Sequence, residues 1–322
     1  MSTIASQELT LNPLLSVVVA SRDEVLVRFG IRSRFSHVLL DESRTGTIGP
    51  VLRAFQRARA SGTPLSDSLD GIEQEEVDEA IAFLLERDVL VQAGRDPARM
   101  ELDLLFDRPA VEDRVFLLGD GAHAAEVRRQ LDRLPLGDLE PLPEAALASG
   151  DAGVGAALQR LAAVDDAIVV VALDSFRPSM LHRVNEVMLG LGQRWLLSVV
   201  DGPLSIVGPV FEPHEGPCYA EFEIQIESTI ALRDEYLMQK EQLVAEDDVR
   251  RSSCSPLASS MCAAWTATWL VHALHEAPGF NPAKALLLDY RELDLDWVEV
   301  LRLPRCPACN WAAPTYPRHL LL

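Results

Sequence analysis

Positive charge is scarce in this sequence. Only 29 Lys and Arg residues stand against 49 Asp and Glu residues, which gives a formal net charge of −20 at pH 7. Lysine occurs at Lys240 and Lys284 alone, and arginine supplies the other cations. Binding to phosphate backbones or to anionic lipid headgroups requires a positive field. The composition therefore argues against nucleic acid and against a membrane as partners.

Long apolar runs and an export signal are also missing. The longest uncharged apolar stretch, Met261–Leu274, is shorter than the ~20 residues that cross a bilayer. The first residues show no charged, then apolar, then small-residue pattern of a secretory signal. We therefore expect a cytoplasmic protein whose five cysteines are metal ligands or buried thiols rather than disulfide partners.

With 322 residues, 48% of them hydrophobic, the chain can form two domains with separate cores. The polar segment 93–98, which contains Gly and Pro, predicts the boundary and divides the chain into 1–98 and 99–322. The first part predicts three strands followed by three helices. They are Leu14–Ala20, Glu24–Phe29, Ser36–Asp41, Ile48–Arg59, Leu65–Leu69 and Glu73–Arg87.

This order of elements is that of a small winged-helix domain. Winged helices that bind DNA need a basic recognition helix, but the third predicted helix is acidic and Arg87 is its only cation. Peptide binding suits the shape better, because an exposed third strand can accept an added strand while the third helix forms the other wall. We therefore expect a peptide clamp.

The same order resembles the leader-peptide-binding domain, or RiPP recognition element, of enzymes that modify ribosomal peptides. The resemblance implies a site between the third strand and the third helix. Its expected residues are His37, Val38, Leu39, Leu40, Val77, Ile81, Leu84 and Leu85. Residues 22–59 carry eight arginines against four acids, and leaders in such systems are often acidic. Arg28, Arg32 and Arg34 are therefore expected to pair with leader carboxylates.

A glycine turn dominates the second domain. The run VFLLGDGAHAAEVRRQL, Val115–Leu131, predicts a strand, a tight turn and a helix, with Gly119, Gly121 and Ala124 at the spacing of dinucleotide-binding turns. Alternating strands and helices follow, including the all-apolar Ala167–Leu173 that parallel sheets bury. The sequence therefore predicts an α/β fold of Rossmann type.

The second half of this domain resembles ThiF-type adenylating proteins, in which an apolar strand ends in Asp and precedes a helix with Arg and Asn. Asp174 and Asn185 stand at the matching positions. VGPVFEPHEGPCY, followed downstream by PRCPAC, is most similar to the Ocin-ThiF-like branch. The resemblance implies a leader-binding, non-catalytic partner of a YcaO-type cyclodehydratase. Such an enzyme makes azol(in)e rings in thiopeptides or related products.

Active adenylating relatives also carry an acidic residue after the second strand and an arginine-containing segment for the triphosphate. No such segment is found in residues 132–163. Without those cations, the charge that develops at the α-phosphate has no preorganised partner. We therefore expect no ATP turnover, and a vestigial turn formed by Gly119, Gly121 and Asp174.

Cys306 and Cys309 form a CxxC knuckle that can present two thiolates to a structural zinc ion. Cys218 is the expected third ligand, because the second CxxC of relatives reads here as Cys218–Glu221. The candidates for the fourth ligand are Glu221, His214, Cys254 and Cys262. We expect a zinc site or a vestigial knuckle held by packing.

Two alternative functions stay open on the sequence alone. One is an active ThiF-type adenylating or sulfur-transfer enzyme with Cys218 or Cys254 as nucleophile. The other is an NAD-dependent oxidoreductase built on the glycine turn, although no acidic residue was identified at the end of a second strand. The apolar segment Pro256–Ala277 predicts a core helix or the interface of a homodimer.

Overall fold

The computed structural model divides the chain into two compact units, Met1–Asp107 and Arg108–Leu322. The residues that the structure describes are 9–30, 32, 36–42, 44–61, 69, 71–106, 114–147, 159–164, 167–246 and 254–309. The division follows Asp107, later than the expected boundary at Ala98. The expected linker instead leads into a helix, because the Asp96 side chain accepts a hydrogen bond from the Ala98 N–H and Pro97 starts the first turn.

The first unit contains a three-stranded antiparallel sheet in chain order. Its strands are β2 (Leu15–Val19), β3 (Glu24–Phe29) and β4 (Ser36–Leu40), so β4 forms one edge. These strands lie where the apolar pattern predicts them. A separate pair, β1 (Leu9–Leu11) with β5 (Leu90–Gln92), brings the two ends of this segment together. β1 is not predicted from the sequence, because its three residues are too few to show a period.

Three helices of the first unit are α1 (Ile48–Ser61), α2 (Gln74–Glu86) and α3 (Pro97–Leu105). The core lies between the inner face of the sheet, α1 and α2, and contains Val25, Leu52, Phe55, Val77 and Leu84. The predicted short helix Leu65–Leu69 falls outside the described residues except for Leu69.

The second unit is built on a seven-stranded mixed sheet, which confirms the expected α/β class. The strands are β6 (Val115–Leu118), β7 (Leu139–Leu142), β8 (Ile168–Leu173), β9 (Arg194–Asp201), β10 (Leu204–Phe211), β11 (Lys284–Asp289) and β12 (Asp294–Glu299). Their order is β12-β11-β10-β9-β8-β6-β7. The four strands from β7 to β9 in this order are parallel, and β9 to β12 are antiparallel.

Helices cover both faces of this sheet. They are α4 (Ala122–Leu131), α5 (Pro178–Leu191), α6 (Tyr219–Glu227), α7 (Arg233–Ala245) and α8 (Pro256–Leu274). α4 and α8 pack on one face, and α5 and α6 on the other. Alternate residues of β8 point into the two layers, so all six are buried. None of the described helices is long and apolar enough to cross a membrane.

Two elements differ from their predictions. Phe222–Glu246 reads as one helix, but the structure has α6 and α7 separated by residues 228–232. The segment 135–142 predicts a break after the preceding helix, but its last four residues form β7, which contains Pro141. A proline is tolerated in this strand because β7 lies at the edge of the sheet.

A buried polar network joins α4, β9 and α8. His123 is fully buried, with Nδ1 3.0 Å from the Ser259 hydroxyl and Nε2 2.8 Å from the Ser198 hydroxyl. The Ser198 hydroxyl lies 2.7 Å from that of Thr266, which donates to the Cys262 carbonyl. One direction of donation satisfies every group: Ser259 donates to Nδ1, Nε2–H donates to Ser198, and Ser198 donates to Thr266. This direction requires a neutral imidazole.

Protonation of His123 should therefore destabilise the second unit. Burial lowers the pKa of His123 from 6.5 to about 4, and the negative charge of Asp174 opposes only part of that effect. Because the folded-state pKa lies below the unfolded one, the contribution is fully present above pH 6.5 and is lost as the pH falls towards 4. The neutral state of His123 thus contributes about 3 kcal/mol to the free energy of unfolding above pH 6.5.

The test is urea unfolding at a series of pH values, followed by tryptophan fluorescence, since all five tryptophans belong to residues 108–322. We expect the loss of stability between pH 6.5 and 4 to be smaller in His123→Gln by about 3 kcal/mol. His214 is exposed, so His214→Gln should keep the slope of the unmodified protein. If the free energy of unfolding depends on pH identically in all three proteins, the loss of stability cannot be assigned to His123.

Candidate functional site

An open groove lies between β4 and α2 of the first unit. It has a volume of about 590 Å³. Its β4 wall contains Val38, Leu39 and Leu40, and its α2 wall contains Glu76, Glu79, Ala80, Phe83 and Arg87. The side chains of Val38 and Leu40 are 52% and 58% exposed, which is unusual for apolar residues in a regular strand. The groove is thus apolar along the strand and largely charged along the helix.

The backbone of β4 is also open towards the groove. The Asp41 N–H donates to the Asp23 carbonyl, and antiparallel pairs alternate between hydrogen-bonded and non-bonded positions. From the β3–β4 register, Leu39 and His37 turn their backbone groups towards β3, whereas Leu40 and Val38 turn theirs outward. Among the described residues, β4 pairs with β3 alone. An extended peptide can therefore add to this edge.

The α2 residues that were expected at the site do not line the groove. Val77, Ile81 and Leu84 are buried in the core of the first unit, and Leu85 packs at its margin. Glu76, Glu79 and Phe83 line the groove instead. The apolar stripe of an amphipathic helix faces the core, so the groove is lined by the flank of that stripe. These flank residues were not predicted from the sequence, because the resemblance implied a site on the stripe itself.

Of the three arginines expected to contact a ligand, two do not line the groove and the third lies outside the described residues. Arg28 follows the buried Val27 in β3 and so belongs to the outer face of the sheet, which it shares with Val38 and Leu40 of the neighbouring strand. Arg32 is exposed in the turn before β4, and Arg34 lies outside the described residues. Neither Arg28 nor Arg32 lines the groove.

The glycine turn of the second unit is occupied by a side chain. The Asp174 carboxylate accepts hydrogen bonds from the N–H groups of Ala122 (3.1 Å) and His123 (2.7 Å), in the first turn of α4. A Cβ atom on Gly121 would lie 2.3 Å from that carboxylate, and one on Gly119 would lie 2.2 Å from the Ala172 carbonyl oxygen. Both glycines are therefore required by close packing of the protein itself. Asp174 occupies the helix terminus at which such turns bind phosphate.

An acidic residue does follow the second parallel strand, contrary to the sequence analysis. Glu144 lies just beyond β7, and its N–H donates to the Asp120 carboxylate of the glycine turn (3.3 Å). The Glu144 side chain forms an ion pair with Arg177. A nucleotide ribose would compete with this ion pair for the Glu144 carboxylate. Glu144 can be identified as the acidic residue after the second strand only when Leu139–Leu142 is known to be a strand.

Cys218, Glu221, Cys306 and Cys309 form a compact cluster in which the potential ligand atoms all lie within 4.8 Å of one another. Cys218 precedes α6, and its Sγ lies 3.6 Å from that of Cys306. The fully buried Glu221 accepts hydrogen bonds from the N–H groups of Cys218 and Leu303, both at 2.7 Å. Glu221 thus orders both chain segments that supply the cysteines.

This donor set fits a metal ion. Two thiolates bound tetrahedrally to zinc at ~2.3 Å lie about 3.8 Å apart, close to the spacing of Cys218 and Cys306. Each oxygen of Glu221 accepts one hydrogen bond and keeps a lone pair for a metal. Burial raises the pKa of Cys218 to about 11 and also raises that of Cys309. These thiols therefore stay protonated unless a metal replaces the protons.

The other candidates for a fourth ligand lie apart from the cluster. Cys262 contacts Ser198 and the Val199 carbonyl in the core beneath α8, and burial raises its pKa to about 12. Cys254 lies just before α8, and His214 is exposed in the loop after β10. Of the four alternatives, the structure places Glu221 beside the three cysteines.

Comparison with known proteins gives similarity at the level of the fold. No family model matches the sequence. A search of curated proteins also finds no match. Among solved structures, a heterocyclase in complex with substrate and cofactor matches 94% of this chain and 39% of its own, with a TM-score of 0.62 and 20% identity.

The structure of the heterocyclase TruD matches 94% of this chain and 42% of its own, with a TM-score of 0.59 and 19% identity. Escherichia coli MccB bound to AMPCPP and MccA is also found, with a TM-score of 0.49, 14% identity and coverage of 94% and 99%. The chain thus spans about two fifths of the heterocyclases that it matches. It has the fold of that part of a heterocyclase chain.

Proposed function

We propose that this chain binds an extended segment of a ribosomal precursor peptide in the groove between β4 and α2 and presents the peptide to a modifying enzyme. The observation that carries the proposal is the open edge of β4, with outward backbone groups at Val38 and Leu40. An added strand would gain main-chain hydrogen bonds there, and pockets for alternate side chains would supply specificity. The N-terminal unit then serves as the leader-binding, winged-helix-like clamp.

The proposed partner is a YcaO-type cyclodehydratase, which uses ATP to cyclise Cys, Ser or Thr side chains onto the backbone. Support comes from the fold, because the chain matches about two fifths of two heterocyclase structures. Tethering the leader would hold the remainder of the peptide near the partner at a local concentration of the order of millimolar.

We further propose that this chain does not turn over ATP by itself. The carboxylate of Asp174 competes with any phosphate for the N–H groups of Ala122 and His123. Arg177, a cation near the turn, is paired with Glu144. The adenylating or sulfur-transfer alternative has less support, because burial raises the pKa of Cys218 and disfavours the reactive thiolate. The NAD alternative conflicts with the same Asp174 contacts and with the ion pair of Glu144.

The groove can be tested with two matched substitutions in the same sheet. Leu40→Asp places a charge at the open edge, and we expect it to weaken binding at least about tenfold because an apolar contact becomes an unpaired carboxylate. Val18 on β2 is as exposed as Val38, at 53%, but does not line the groove. Val18→Asp should therefore bind like the unmodified protein.

The measurement is fluorescence polarisation with labelled short peptides encoded in the genes beside this chain's gene. Mass spectrometry would then detect loss of one water per ring when the cyclodehydratase, ATP and this chain are combined. Equal weakening by Val18→Asp and Leu40→Asp would place the site elsewhere. ATP–pyrophosphate exchange by this chain alone would favour the adenylating alternative.

We also propose that Cys218, Cys306, Cys309 and Glu221 hold a structural zinc ion. When bound, zinc would cross-link the start of α6 to the segment after β12. Metal analysis of purified protein should find about one zinc per chain, and Cys306→Ser should remove most of it. Cys254→Ser, a cysteine outside the cluster, should retain the metal. A content below about 0.2 zinc per chain in the unmodified protein would indicate a vestigial knuckle.

A further inference from the structure

The charge of the groove points to a particular class of peptide. Among the described residues, four carboxylates line the groove, from Asp41, Glu42, Glu76 and Glu79, against the single guanidinium of Arg87. We propose that the groove selects an extended segment in which Lys or Arg residues accompany alternating apolar side chains. This inference rests on the proposed peptide-binding function and names its ligand class.

The carboxylates differ in how they are used within the protein. Asp41 accepts hydrogen bonds from the N–H and hydroxyl of Thr45, at 3.0 and 2.5 Å, and so fixes the loop after β4. Glu42, Glu76 and Glu79 form no ion pair within the part of the chain that the structure describes. Glu42 and Glu79 are exposed, and Glu76 is partly exposed. These three side chains are therefore available to cations of a ligand.

Arg87, the one cation among the groove residues that the structure describes, is already engaged. The Arg87 guanidinium lies 3.7 Å from the centre of the Phe83 ring. It also donates to the Phe83 carbonyl and forms an ion pair with Glu86. An acidic peptide would therefore meet an excess of carboxylates and a guanidinium that has a carboxylate partner, and like charges at close range disfavour binding.

Neither Arg28 nor Arg32 lines the groove. Arg28 shares the outer face of the sheet with Val38 and Leu40, but it belongs to the central strand β3, behind the edge strand β4. The side chains of an added strand alternate between the two faces of the sheet. Apolar residues at every second position would contact Val38 and Leu40 on the outer face. The residues between them would face α2, where basic groups can reach Glu76 or Glu79 and apolar ones can contact Phe83. The negative charge of the groove thus favours a basic ligand, whereas the resemblance implied an acidic leader.

The experiment is a selection of displayed ten-residue peptides on the full-length chain, at physiological salt. We expect the enriched peptides to combine alternating apolar residues with Lys or Arg. The same selection on Leu40→Asp controls for non-specific attraction of basic peptides to a chain of net charge −20, and it should lose these sequences. If Leu40→Asp enriches the same peptides, binding does not depend on the groove and the inference is overturned.

The other outcomes separate this inference from the proposed function. Enrichment of acidic or uncharged peptides that depends on Leu40 would overturn the charge preference and leave the peptide groove standing. If no peptide is enriched, and the genomically neighbouring peptides also fail to bind, the proposed function itself is overturned.

Affinities of a selected peptide then test the glutamates singly. Glu79→Lys should weaken binding of the basic peptide by about fivefold and reduce its dependence on salt. Glu75→Lys makes the same change of charge on the same helix, at an exposed position outside the groove, and should change affinity less than about twofold. Equal effects of the two substitutions would show that only the overall charge of the helix matters, and would overturn the assignment to the groove.

Discussion

The function proposed for this chain depends on an open strand edge. An edge strand with exposed apolar side chains is a hazard in solution, and natural sheets usually protect such edges with charge, bulges or a covering element. Here β4 keeps Val38 and Leu40 exposed and directs their backbone groups outward. Its protection is confined to the acidic pair Asp41–Glu42 at one end and to the glutamates of α2 across the groove. Charges placed beside an open edge deter self-association, since two copies would bring like charges together, while a ligand of opposite charge still fits.

In the second unit, the helix that follows the glycine turn packs into the core from its first turn, where His123 and Ala124 are buried. Helix α4 needs an acceptor at its N-terminus, and in dinucleotide-binding proteins the bound phosphate supplies it. In this chain Asp174 supplies it permanently, and His123 in the same turn is joined to Ser198 and Ser259. Because the Asp174 carboxylate satisfies these N–H groups in the folded chain itself, the first turn of α4 is complete without a bound phosphate. The absent arginine segment and the occupied turn are thus consistent with each other.

Much of the fold could be predicted from periodicity, but the groove-lining residues of α2 could not. The strands β2, β3 and β4 and the buried β8 follow directly from their apolar patterns. β7 was missed because Pro141 indicates a break unless the strand is known to be at an edge, and Glu144 was missed with it. Val77 and Ile81 were assigned to the ligand because an apolar stripe looks the same whether it faces a core or a groove. Cys218, Cys306 and Cys309 were predicted as a set, whereas the choice of Glu221 required the distances.

The acidity of α2 has two possible physical origins, and position along the helix separates them. Glu75 and Glu76 lie in the first turn, where negative charge interacts favourably with the helix dipole whether or not a ligand exists. Glu79 lies one turn later, where the dipole effect has largely faded, and Glu42 lies on the opposite wall, outside any helix. Helix stability therefore accounts for the first pair alone. Glu79 and Glu42 both line the groove, so the proposed preference for basic peptides rests on these two carboxylates more than on Glu76.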